Sequence, residues 1–342
     1  MKSGMQNILV TGSAGFIGFH TTLNLLKQGH RVFGIDNLNN YYDPEIKFRR
    51  LAQCGIEHDQ IRFDQHSKSM LYPEYRFRKM DVSEKESVKE LIANEGFDTI
   101  IHLAAQPGAR FSVEKPSSYI KTNIEGFFSI LEACRDHKPK HLVYASSSSI
   151  YGNNTDIPYS ENDKTDMPAS LYGATKKSNE LMAYAYSHLY GIPMTGLRFF
   201  TVYGPWGRPD MVYFKYTKAI LGNEPIDVYN HGKLRRDFTY IDDIVKGLID
   251  VMNIIPEGEV PHDIFNIGNS SPEELLYFVE VLENIMGRKA KKNMLPMQAG
   301  DVIETFADTS KLEKYCGYKP HTGLADGLQR FVDWYLDEYT GF

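Results

Sequence analysis

The chain has 342 residues, 42% of them hydrophobic and 24% charged, with a net charge of −6. Mild acidity argues against a nucleic-acid or polybasic membrane role, and the absence of any run of about 18 apolar residues argues against a transmembrane helix. The polar start "MKSGMQ" leads directly into a strand pattern and leaves no room for a signal peptide. The three cysteines, Cys54, Cys134 and Cys316, lack metal-ligand spacing. Together these features read as a cytoplasmic protein with reduced thiols and no metal.

Strand and helix patterns alternate along the first half. "NILVTG" reads as a strand, "FIGFHTTLNLLKQG" as a helix closed by Gly29, and "RVFGID" as the second strand. Residues 43 to 76 break the rhythm with mixed, charged sequence and are expected to form a partly helical surface excursion. "YRFRKMDV", "FDTIIHLAA" and "HLVYASS" continue the strands, with a helical pattern over 117–137 between the last two. Such alternation implies βαβ units and a Rossmann-type, doubly wound parallel sheet.

After about residue 198 Pro and Gly become more frequent and the elements shorter. This predicts a domain over 1–198 and a smaller α/β substrate-binding lobe over 199–342, with the segment near 237–265 returning to the first. "SSPEELLYFVEVLENIMG" predicts a helix with Ser271 as N-cap, Pro272 at its first position, Glu274 completing a capping box, and Gly287 as its stop.

Gly12, Gly15 and Gly18 follow the first strand and open a helix, the arrangement that cradles a dinucleotide pyrophosphate on bare helix N–H groups. Phe16 and Ile17 lie in that opening turn. Asp36, eighteen residues beyond Gly18, is placed to accept both adenosine ribose hydroxyls and to repel a 2′-phosphate, which favours NAD over NADP. Asn37 and Asn39 follow it. Asp81 and Val82 end the third strand beside the expected adenine position. Leu103, Ala104 and Ala105 end the fourth, the two alanines small enough for a cofactor to lie against the backbone. Asn123 completes the expected cofactor contacts.

"SLYGATKKS" places Tyr172 and Lys176 one turn apart on one helix face. A phenol near pKa 10 is a poor base at neutral pH, and a nearby ammonium is expected to lower it. The run "YASSSSIYG" ends a buried strand in hydroxyls, more like the rim of a site than a solvated linker.

Glycine fingerprint, serine-tipped strand and Tyr-x-x-x-Lys together resemble the extended short-chain dehydrogenase/reductase superfamily. "RFFTVYGPWGRPDM" and "RRDFTYIDDIV" resemble its nucleotide-sugar epimerase branch, and "MQAGDVIETFADTSKL" is similar to a segment of the UDP-glucuronate 4-epimerases. The resemblance implies a catalytic triad of Ser147, Tyr172 and Lys176 and tightly bound NAD. It further implies reversible oxidation at C4 of a UDP-hexuronic acid, supplying polysaccharide biosynthesis. It places Ser148, Ser149, Thr201 and Arg208 round the sugar carboxylate, Arg236 on the pyrophosphate and Asp301 on the uridine ribose. Gln298 departs from the arginine of some neutral-sugar epimerases. The resemblance also implies a homodimer through the helices around 117–137 and 173–190.

Two other reactions of such enzymes need an acid after the catalytic hydroxyl, where this chain has Ser148 and Ser149. A neutral UDP-hexose 4-epimerase remains an alternative. So does a non-catalytic NAD-binding sensor, since a fold does not prove chemistry.

Overall fold

A computed structural model describes residues 4–63, 65–298 and 301–340. Thirteen strands occur in chain order: β1 (Asn7–Thr11), β2 (Arg31–Asp36), β3 (His66–Lys68), β4 (Tyr75–Lys79), β5 (Thr99–His102), β6 (His141–Ser147), β7 (Met194–Phe199), β8 (Thr201–Tyr203), β9 (Pro225–Val228), β10 (Arg235–Tyr240), β11 (His262–Ile267), β12 (Pro272–Glu274) and β13 (Lys291–Met294). Eight form one sheet in the order β11-β7-β6-β5-β1-β2-β4-β3. Every neighbouring pair is parallel except β3 with β4.

The inner strands are near-continuous apolar runs because both sheet faces are covered. Successive residues of β1 divide between two cores. Ile8 and Val10 face one beneath the helices Phe16–Lys27 and Ile241–Met252, and Leu9 faces the other beneath Lys85–Glu95 and Gly126–His137. The helix Ile241–Met252 and strand β11 thus belong to the large sheet, although they follow β8 to β10 in sequence. Among the described residues no helix is long and apolar enough to cross a membrane.

Outside the large sheet stand a three-stranded sheet, β12-β10-β8, and the pair β13-β9. Asp237, fully buried in β10, accepts the backbone N–H groups of Asn269 (2.7 Å), Ser270 (3.0 Å) and Ala307 (3.0 Å). One carboxylate therefore ties two loops to β10, and burial raises its pKa despite those bonds.

Two expectations are corrected here. Pro272–Glu274 is not the first turn of a helix but strand β12, with Glu273 opposite Arg236. The helix begins at Leu275 and ends on the left-handed Gly287. Antiparallel pairing to β10 satisfies the backbone that a capping box would have served. Residues 43–76, in turn, are more than a surface excursion. The helix Glu45–Gln53 buries Lys47, Arg50 and Leu51, and β3 adds an antiparallel edge to the sheet.

The tightest contact lies where β1 turns into its helix. A Cβ at Gly18 would stand 2.0 Å from the Gly12 carbonyl oxygen. Gly18→Ala should therefore cost at least about 2 kcal/mol of stability, read as a lowered urea midpoint. An unchanged midpoint would contradict this packing.

Candidate active site

A cavity of about 390 Å3 opens at the C-terminal ends of the central strands. It lies where the sheet order reverses between β1 and β5, the place where doubly wound sheets bind ligands. Gly12, Gly15, Phe16, Ile17 and Gly18 line one end. Gly12 has φ +71° and would bring a Cβ within 2.8 Å of the Ala104 amide nitrogen. Cβ atoms on Gly15 and Gly18 would both press on the Gly12 carbonyl, so these glycines first of all let the turn close on itself. No side chain caps the helix Phe16–Lys27 and its first turn has no acid. Its bare N–H groups and positive dipole end fit a dinucleotide diphosphate.

Asp36 ends β2 on the cavity wall, where its Oδ1 accepts the Leu38 N–H (2.8 Å) and lies 3.7 Å from the Lys47 ammonium. Asn37, Asn39, Val82, Leu103, Ala104 and Ala105 also line this end. Asp81 and Asn123 stand behind the wall. Asp81 takes the Asn37 amide (3.0 Å) and the Ser83 N–H (2.9 Å); burial alone would raise its pKa, but these bonds lower it on balance. Asn123 is buried and bonded to both backbone groups of Gln106 and to the Thr175 hydroxyl.

At the other end β6 delivers Ser147 beside Tyr172, whose helix Leu171–Tyr190 is capped by the Ser170 hydroxyl on the Gly173 N–H (3.1 Å). The Ser147 hydroxyl neighbours the Tyr172 phenol in the cavity wall. Burial pushes the Tyr172 phenol above its ordinary value, offset in part by the neighbouring Ser147 hydroxyl and by the Arg208 charge. The expected lowering, which joins Lys176 to the positive nicotinamide ring, does not come from the ammonium alone. The Lys176 ammonium turns instead to the Ala145 carbonyl at 2.9 Å, and burial brings its own pKa down to about 8.

The helix is fastened from below. Glu180, two turns after Tyr172, meets Arg198 of β7 through two parallel bonds of 2.9 and 3.0 Å, both side chains buried. Glu180 also accepts the Ser146 hydroxyl (2.6 Å), tying the helix to the serine-tipped strand.

Ser148, Ser149, Thr201 and Arg208 line the cavity near Tyr172. The Arg208 guanidinium is already engaged, with its Nε and Nη2 on the two oxygens of Asp210 at 3.0 and 2.5 Å. Tyr41 donates to the same carboxylate at 3.0 Å. Burial opposes the Arg208 charge, and Asp210 more than offsets it. Arg236 and Asp301 do not reach the cavity wall. Arg236 donates to the backbone carbonyls of Arg235 (2.9 Å) and Ile303 (3.1 Å), and Asp301 pairs with Arg110 at 2.7 Å. Among the described residues no cluster of three or more His, Cys, Asp or Glu side chains is placed to hold a metal ion.

Residues 8–268 match the NAD dependent epimerase/dehydratase family. The chain belongs to that family. It is 45% identical to UDP-glucuronate 4-epimerase 4 of Arabidopsis thaliana, over 98% of this chain and 76% of the relative. It is 44% identical to a probable UDP-glucuronate 4-epimerase of Rhizobium meliloti over 97% of each chain. Among solved structures, the UDP-glucuronic acid 4-epimerase of Bacillus cereus, in complex with UDP-glucuronic acid and NAD, superposes with a TM-score of 0.85. That structure is 32% identical and covers 96% of this chain and 98% of its own.

Sequence reasoning about this family member missed several residues of the site. Tyr41, Tyr42 and Lys47 reach the cavity from the 43–76 region or its border. The bonds Lys47 makes to Asp36 and Asn39 are signalled by nothing in local spacing, whereas Asp210 stands only two residues from Arg208. Only the "YYD" run before the helix, an aromatic cluster in charged sequence, offered a hint.

Lys176 also yields a pH dependence. Its folded pKa, about 8, lies below the ordinary 10.5, so the unfolded chain binds that proton more tightly. The penalty is complete below pH 8 and disappears as pH rises towards 10.5. In urea melts, the stability of Lys176→Met relative to wild type should shift in favour of wild type between pH 7.5 and 10. A difference that stays constant across this range would contradict the burial of a titrating ammonium.

Proposed function

We propose that this chain is an NAD-dependent 4-epimerase that interconverts UDP-glucuronate and UDP-galacturonate. The observation that carries the reading is the wall around Tyr172. Neutral hydroxyls and one guanidinium line it, and among the described residues Asp36, at the far end, is the one acid in the cavity lining. The relatives named above support the same substrate.

NAD, held by the Gly12–Gly18 turn and Asp36, would supply the reversible hydride acceptor for C4. The chain's own residues handle protons and position. Tyr172 withdraws the proton from the 4-hydroxyl and later returns it, and Ser147, its neighbour in the wall, stabilises the phenolate or relays the proton. Lys176, anchored on Ala145, stands beside the expected nicotinamide ribose. Burial alone leaves the Tyr172 phenol above its ordinary value, so a cation brought alongside it would favour the basic form.

Ketone formation at C4 turns the hexuronate into a β-keto acid, which loses CO2 once its carboxylate tilts out of plane. Ser148, Ser149 and Thr201 offer donors to that carboxylate without supplying an acidic proton. Arg208 adds a charged partner whose Nη1 edge is not taken up by Asp210. Asp36 selects NAD by opposing a 2′-phosphate. Arg236 and Asp301 lie outside the cavity lining, Asp301 in its pair with Arg110, so a UDP that meets them extends beyond this cavity.

Two buried thiols and a third partly buried one suit a cytoplasmic enzyme of polysaccharide biosynthesis. Phe128, Leu181 and Tyr184 stand exposed on the paired helices Gly126–His137 and Leu171–Tyr190, which suits a homodimer through that face.

Tyr172→Phe should retain NAD and lose turnover by a factor of about 10²–10⁴. A variant keeping more than roughly a tenth of wild-type activity would remove Tyr172 from this role.

Assays across UDP-sugars should find the two uronates interconverted far faster than UDP-glucose and UDP-galactose, because a neutral hexose leaves buried donors unpaired at about 1–3 kcal/mol each. Arg208→His should release CO2. Equal rates on acidic and neutral sugars would instead favour a neutral UDP-hexose epimerase.

A further inference from the structure

Arg50 lies in the helix Glu45–Gln53 and is fully buried, yet it makes no ion pair among the described residues. Its partners are neutral oxygens from three separate segments. Nε and Nη2 both donate to the Trp206 carbonyl, at 3.0 and 2.6 Å, and Nη2 also donates to the Gly207 carbonyl at 3.0 Å. Nη1 donates to the Ala14 carbonyl at 2.9 Å and to the Tyr42 hydroxyl at 3.1 Å. A guanidinium has five N–H donors, and all five are used.

The segment that receives three of these bonds leads directly into Arg208. Trp206 stands at φ +59°, a left-handed conformation that costs a bulky residue about 1–3 kcal/mol and persists only where its surroundings enforce it. The enforcement is dense. His20 meets the Pro205 carbonyl at 2.9 Å, and the Arg208 N–H donates to the Tyr213 hydroxyl at 3.0 Å. A Cβ on Gly207 would stand 2.2 Å from that same hydroxyl. Ala14, at the other end of the guanidinium, belongs to the glycine turn of the cofactor cradle, and Tyr42 neighbours the tyrosine that shares Asp210 with Arg208.

We propose that Arg50 is a positioning residue for the sugar carboxylate. It locks the 205–208 loop to the glycine turn, so that Arg208 is presented at a fixed height above the nicotinamide end of the cradle. The inference rests on the UDP-uronate reading above. Its chemical consequence lies in the fate of the 4-keto sugar. When the carboxylate is held in the plane of the C4 carbonyl, the C5–C6 bond cannot align with the carbonyl π system. When the grip loosens, that bond breaks, CO2 departs, its electron pair passes into an enolate over C5, C4 and oxygen, and a proton from water completes a UDP-4-keto-pentose.

The test uses holoenzyme and UDP-glucuronate carrying label in the carboxylate carbon, with epimer formed and labelled CO2 released measured together. Wild type should epimerise with little CO2 loss; failure to epimerise would overturn the underlying reading and not only the role of Arg50. Arg50→Lys, whose ammonium has only three donors, should raise KM and increase the share of turnovers ending in CO2 by roughly tenfold or more, since displacements near 1 Å cost up to about a hundredfold. Gly207→Ala, which disturbs the loop while leaving the Arg50 side chain in place, should leak in the same way and keeps the test valid if an Arg50 variant fails to fold. Leu282→Ala, a cavity in the core away from the site, reports what lost stability alone does to the partition. If Arg50→Lys and Gly207→Ala lose stability like Leu282→Ala while the CO2 share stays at the wild-type level, Arg50 is only a structural tie and the proposal fails.

Discussion

The buried pair between Glu180 and Arg198 is the constraint on which the reacting end depends. Together with the Lys176 bond to Ala145, it fixes the helix Leu171–Tyr190 against the sheet at the level of Tyr172 and Ser147. Both oxygens of Glu180 receive the guanidinium fork, and one also receives the Ser146 hydroxyl. Arg198 reaches onward to the Tyr151 hydroxyl at 2.9 Å, below the turn that carries Ser148 and Ser149. Breaking such a pair by removing one partner leaves a buried charge unpaired and costs about 3–5 kcal/mol. The price of that risk is one polar node beneath the reacting groups, through which the strand tip, the catalytic helix and the serine turn move as one body.

A second division of labour concerns charge. Along the cavity each basic group meets a different counterpart: Lys47 an acid, Lys176 a carbonyl, Arg208 an acid shared with a tyrosine. Paired cations keep their geometry but lend little net field, so discrimination at the Arg208 end rests on directed hydrogen bonds more than on bare attraction. Lys176 is different. With only a neutral partner in the protein, it retains an unbalanced positive charge beside the expected cofactor and reacting oxygen.

Local features of the site were legible in the sequence, and long-range ones were not. The glycine turn, the acid ending β2, the serine-tipped strand and the Tyr172–Lys176 spacing each lie within one or two adjacent elements, so periodicity and turn chemistry expose them. Tyr41, Lys47 and Arg50 act across loops that meet only in three dimensions. Ser271, Pro272 and Glu274 carry a sound local helix-start pattern, yet β10 recruits Pro272–Glu274 as a strand, a case of tertiary pairing overriding local preference. Tyr172 misled in another way: spacing gives the neighbour Lys176 but not the direction in which its ammonium points. The return of β11 to the large sheet, although it follows β8 to β10 in sequence, comes with the helix before it.

The short antiparallel strand β3 bears on how the molecules behave in a crowded solution. A parallel sheet that ended at β4 would offer its row of unpaired backbone groups to any passing strand. β3 occupies that row with three residues, two of them the exposed His66 and Lys68. Short, charged outer strands make poor templates for further pairing. At the opposite margin Lys311 donates to the Ile264 carbonyl of β11 at 2.9 Å, so a side chain takes up part of that edge as well. With both borders of the sheet attended to, a large parallel core can be kept at high concentration without stacking edge to edge into fibres.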